Sequence, residues 1–187
     1  MSEPSQVLGN ASQAALDAVR VFYAYVVRYQ PLGIPQGRAK KALWPLLSKR
    51  LVLKLNGIQA CDDDYYRRYG ETLRANQYKP TTPWLEVGAF SGPNEAASPT
   101  KFSILGSRAI GKNRVDVHLR FTQKQTYCCG QPTSYDHAEG VVTAIPEDKR
   151  WVIDDFVPAT HENDGPRRLS DGYSECKNGQ WVGQKPY

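Results

Sequence analysis

The sequence predicts an α+β domain, with N-terminal helices packed on an antiparallel sheet. Three observations predict it. Residues 11–30 repeat apolar side chains at helical spacing. Residues 102–157 hold four strand-like stretches separated by tight turns. The helical pattern ends before the strand pattern begins, an order that segregates helices to one face of a sheet. The chain has 187 residues, 40% apolar and 23% charged, enough for one domain with a sizeable core.

Residues 1–9 are mostly polar and predict a frayed end. Asn10 is a candidate N-cap, with Gln13 three residues on as in a capping box. Leu16, Val19, Phe22, Tyr23, Val26 and Val27 then form one stripe, and Pro31 stops the helix. A turn-rich connector at 31–37 leads to a basic helical segment from Arg38. Trp44-Pro45 breaks that segment or opens a new helix. Leu47, Leu51, Leu55 and Ile58 continue at helical steps, and Tyr65, Tyr66 and Tyr69 extend the pattern to Gly70.

Residues 79–100 carry Pro80, Pro83, Pro93 and Pro99 and predict a long loop, with one short strand at 84–87. A loop of this length reads either as a functional loop or, with slight preference, as a flap that buries Trp84 and Phe90 against the helices. The strands follow at 102–110, 114–125, 135–145 and 151–157. In the second, Val115, Val117, Leu119 and Phe121 alternate with Asp116, His118 and Arg120, as in a half-buried antiparallel strand. The tail from residue 159 is irregular, with a small hairpin expected at Asn178-Gly179. Residues 10–158 are thus one domain, and 159–187 a tail packed on it.

The net charge is +5, but Lys and Arg are scattered in pairs beside acids such as Asp62-Asp63-Asp64. That pattern gives a solvated basic surface and no nucleic-acid footprint. No apolar run approaches the ~20 residues of a membrane span. Cys61, Cys128, Cys129 and Cys176 make an even count without a CxxC pair, which favours disulfides over zinc. Vicinal cysteines rarely bond each other. One bridge is therefore expected from Cys128 or Cys129 to Cys176, and another to Cys61. Disulfides imply a periplasmic or secreted protein; residues 1–6 carry no apolar signal region, so that location would require a signal peptide removed beforehand. Four reduced thiols in a cytoplasmic protein are the alternative.

Phe22-Tyr23-Ala24-Tyr25, the helix over 46–55, Arg114-Val115-Asp116-Val117-His118-Leu119 and Trp151-Val152-Ile153-Asp154-Asp155-Phe156 carry a resemblance. Over residues 10–158 the chain resembles an uncharacterised bacterial subgroup of the nuclear-transport-factor-two-like (cystatin-like) superfamily. The long 79–100 insertion and the cysteine-bearing tail depart from its simplest pattern. The resemblance implies a curved sheet wrapping a helix into a cone with an open pocket. Members include isomerases, dehydratases, transport factors and domains without activity, so fold does not decide function.

The acid/base candidates are Asp154, Asp155, His118 and His137. Strand alternation sends Asp154 and Asp155 to opposite faces, leaving one inward carboxylate at most. Asp116 with His118, and His137 with Glu139, equally suit an outward charge ladder. The Asp62-Asp63-Asp64 run cannot aim three acids at one ion from a helix, so neither a metal nor any other cofactor is expected. The expected function is a non-catalytic binding or accessory domain. It would use the cone pocket or the tyrosine-rich helix face to hold a small molecule or a protein, with a homodimer through the open sheet face as one form. The alternatives are an isomerase- or hydrolase-like enzyme and an inhibitor or immunity protein.

Overall fold

The computed structural model describes residues 4–31, 33–76, 89–90, 99–125, 134–158, 168–172 and 174–184. The expected strand at 84–87, Trp84, Cys128, Cys129 and His161 lie outside them. Three helices come first: α1 (Pro4–Tyr29), α2 (Gly37–Leu43) and α3 (Lys49–Asn76). A 3-10 turn, Trp44–Leu46, separates α2 from α3 at the Trp-Pro pair. Four antiparallel strands follow in the order β1-β2-β3-β4: β1 (Pro99–Ala109), β2 (Val115–Gln125), β3 (Ser134–Glu147) and β4 (Arg150–Pro158). A two-stranded hairpin, β5 (Cys176–Lys177) and β6 (Gln180–Trp181), turns at Asn178-Gly179, both at positive φ. The α+β class is therefore as the sequence predicts.

α1 begins six residues before the expected Asn10 cap. α1 lies across the sheet and fills its inner face. Phe22, Tyr23 and Val26 meet Val117, Leu119, Phe121, Val142 and Phe156, all buried. The Tyr23 ring lies 5.3 Å from Phe121 and 5.7 Å from Phe102, centroid to centroid. Phe90, from the proline-rich stretch, packs edge-on against Phe22 at 4.9 Å.

Gly140 lets two strands close over this core. A Cβ there would come within 2.5 Å of the Phe156 ring. β4 carries a bulge: Thr143 pairs with Asp155 but Ala144 pairs with Ile153, leaving Asp154 as the extra residue. Ile153 and Phe156, three apart, both reach the core in consequence. The outer edge of β4 is closed by a bridge from Leu47 to Ile153 and by Ser48 N–H donating to the Ile153 carbonyl at 2.8 Å.

α3 outruns the sheet. Leu51, Leu55 and Ile58 enter the main core, whereas Cys61, Tyr65 and Leu73 form a second cluster with Trp181 of β6. The distal half of the helix is thus covered by the C-terminal arm, described over residues 168–172 and 174–184. No helix among the described residues is long and apolar enough to cross a membrane.

Candidate functional site

Two assemblies gather the chemistry of the chain. The first surrounds the aspartates of β4. Ser48 precedes α3 and its Oγ accepts from Leu51 N–H at 3.0 Å, an N-cap bond. The same hydroxyl donates to Asp154 Oδ1 at 2.6 Å. Arg50, the second residue of the helix, donates to both Asp154 oxygens, at 3.2 and 2.7 Å. Burial pushes the Asp154 carboxyl up, but the Arg50 and Ser48 hydrogen bonds outweigh it and hold it below the usual carboxylate range.

Asp155 is buried as well. Its oxygens accept from Ser170 N–H at 3.0 Å and Ser170 Oγ at 2.7 Å, and Arg168 lies 3.5 Å away. Alternation therefore fails for this pair. The bulge at Asp154 breaks the period of two, and both carboxylates are buried. Beside them, Asp116 is held by Arg114 at 3.0 Å and by the Thr143 hydroxyl at 2.8 Å.

The structure does not bring either candidate histidine to these carboxylates. His118 pairs across the sheet with Val141, and His137 pairs with Thr122. Both are exposed, and neither is hydrogen-bonded to Asp154 or Asp155. Glu139 pairs with Arg120 at 2.7 Å, as a charge ladder requires. The cluster is a set of occupied ion pairs tying α3, β2, β3, β4 and the arm together.

The second assembly is where the arm crosses α3. Cys61 and Cys176 form a disulfide with Cα atoms 5.8 Å apart. This corrects the expected pairing of Cys176 with Cys128 or Cys129, because adjacency in sequence carries no information about which partner a fold brings near. Trp181 stacks edge-on against Tyr65 at 4.8 Å. The Trp181 backbone N–H donates to Asp64 Oδ2 at 3.0 Å, and Arg68 donates to the Trp181 carbonyl at 3.2 Å. Burial pushes the Asp64 carboxyl up, but the Trp181, Arg67 and Arg68 bonds outweigh it and hold it low.

Asp62 is the opposite case. It is 3% exposed, its Oδ1 has no partner, and burial followed by the Asp63 charge raises its pKa to about 6. Asp63 is exposed and bonded to Gln59. The three acids thus point apart, as a helix dictates. Among the described residues, no three His, Cys, Asp or Glu side chains gather as a metal site.

A cleft of about 160 Å³ opens between α3 and the arm, lined by Leu53, Lys54, Gly57, Ile58, Cys176 and Gly179 among others. Gly179, at φ +73°, approaches so closely that a Cβ would lie 3.2 Å from Ala60. Leu53 at its mouth is 73% exposed. Sequence reading missed this site. Leu53 sits off the apolar stripe of α3, and that displacement from periodicity was the available signal. Of the expected tyrosine face, Tyr65 is buried under Trp181, Tyr66 is exposed, and Tyr78 lies outside the described residues.

No protein-family model matches this chain, and no curated protein matches it.

Proposed function

We propose that this protein is an extracytoplasmic, non-catalytic binding domain that holds a protein partner in the cleft between α3 and the C-terminal arm. The observation that carries the reading is Leu53, a large apolar side chain left open at the mouth of a preformed cleft. The cleft's far wall is pinned to α3 by the Cys61–Cys176 bridge. A wall fixed covalently loses little freedom on binding, which favours affinity. The bridge also supports a location outside the reducing cytoplasm.

The acid/base alternative has less support, because Asp154 and Asp155 already hold Arg50, Ser48 and Ser170. The helices-then-meander order supports the resemblance to the nuclear-transport-factor-two-like superfamily and its cone. The inner face of the sheet is occupied by Phe22, Tyr23 and Val26, which moves the binding reading from a cone pocket to the helix face.

The test is affinity capture from extracytoplasmic extract of the source species with wild-type protein and with Leu53→Asp. Leu53 is exposed, so the variant should keep its melting temperature. A partner held by wild type and lost by the variant supports the reading. Equal capture by both, or capture by neither, overturns it.

A further inference from the structure

We propose that the free edge of β1, over residues 103–109, takes an acidic, extended polypeptide segment as a fifth strand of the sheet. This surface is separate from the α3 cleft. The two edges of the sheet are treated differently. β4 is capped by Leu47 and Ser48, whereas no described residue pairs with the outer side of β1. β1 is eleven residues long, and its last five, Leu105 to Ala109, are all exposed. An edge of that length presents a row of unpaired N–H and C=O groups, the template that strand addition uses.

The charge on this edge selects the occupant. Between Pro99 and Asn113 the cations are Lys101, Arg108 and Lys112, and there is no acid. None of the three has an ion pair among the described residues. By contrast Arg114, just before β2, is already paired with Asp116. Lys101 faces Thr122 and Arg108 faces Asp116, so both sit on the outer face of the sheet, seven residues apart.

A second copy is the poorer occupant. Two-fold antiparallel pairing of β1 with itself brings two edges of like charge together, and in the register that sets residue 101 opposite residue 108 it places Lys101 beside Arg108 of the other copy. Like charges opposite one another destabilise a sheet. Charged residues on an edge commonly serve to repel copies. The same charges attract an acidic strand. Leu105, exposed at the bulge between Ile104 and Gly106, adds an apolar handle where the ladder is interrupted.

The test uses isotope-labelled full-length protein and a synthetic peptide of about ten residues alternating glutamate and valine, long enough to span the edge. Two controls are its lysine–valine counterpart and a version with two central prolines. The expected result is slowed amide exchange at alternate positions within residues 103–109 on adding the acidic peptide alone. The exposed double variant Lys101→Glu/Arg108→Glu should weaken that binding by about tenfold and gain affinity for the lysine peptide.

Binding of the proline-interrupted peptide as tightly as the parent would overturn the proposal, since only charge would then be read. Protection mapping to the α3 cleft would overturn it too. So would a concentration-dependent dimer whose interface is β1, because the edge would then belong to a second copy.

Discussion

The Ser48 hydroxyl lies 2.6 Å from the Asp154 carboxylate, joining the start of α3 to a strand 106 residues later. It also caps its own helix through Leu51 N–H. One small side chain therefore holds a helix terminus and shares a buried charge. Ser48→Ala removes both bonds and should cost about 2–3 kcal/mol by chemical denaturation, with Ser48→Thr recovering much of it. A loss below about 0.5 kcal/mol would mean that Arg50 alone supports Asp154.

Asp154 also sets an acid limb. Its folded pKa is depressed, so its contribution is present above the unfolded carboxylate range and is lost as pH falls through the folded value. Arg50→Ala removes the main opposing hydrogen bonds. The variant's stability should fall less steeply below pH ~4 than that of wild type. Parallel curves of stability against pH for the two proteins would refute this.

Asp62 predicts the opposite slope. Its folded pKa, about 6, lies above the unfolded value, so the folded state binds the proton more tightly. Stability then declines as pH rises from about 4 to 6 and stays lower above that, by up to about 3 kcal/mol. Asp62→Asn should raise the melting temperature at pH 8 and leave it nearly unchanged at pH 4. Equal shifts at both pH values would show that the effect is packing.

Reduction should loosen the arm. Cys61 and Cys176 are 115 residues apart, and closing a loop that long is worth about 2–4 kcal/mol. Alkylation mass spectrometry should find Cys61 and Cys176 blocked before reduction and labelled after it. The Cys61→Ser/Cys176→Ser variant should melt lower and show red-shifted tryptophan emission as Trp181 becomes wet.

Gly140→Ala tests the core. The added methyl meets the Phe156 ring at 2.5 Å, so the ring or the strand must move. A loss of about 1–3 kcal/mol is expected. Pairing it with Phe156→Leu, which vacates space, should recover part of that loss; additive losses would contradict this geometry.

Much of this fold is legible in the chain. The Leu16–Val26 stripe and the alternation from Val115 to Phe121 carry their periods unbroken, because each lies on one continuous face. Asn178-Gly179 gave its turn because both residues accept positive φ. The arrangement around Asp154 was not legible. A bulge is a one-residue offset between two strands, and nothing local to Trp151–Val157 signals where its partner slips. The cysteine pairing was hidden for a similar reason. Cys61 and Cys176 meet only because α3 extends past the sheet and the arm returns across it.

α3 is a beam with two fixed supports, one at its N-terminus and one near its middle. Near one end, Ser48 and Arg50 fasten it to β4; further along, Cys61 and the Trp181–Asp64 contact fasten it to the arm. Helices ordinarily fray from their termini inward. Here the segment between the supports is held at both of its ends, and within it Leu55 is fully buried in the main core. A load applied at Leu53 is therefore delivered to both supports together, so a partner seated there would stiffen the sheet edge and the arm in one event.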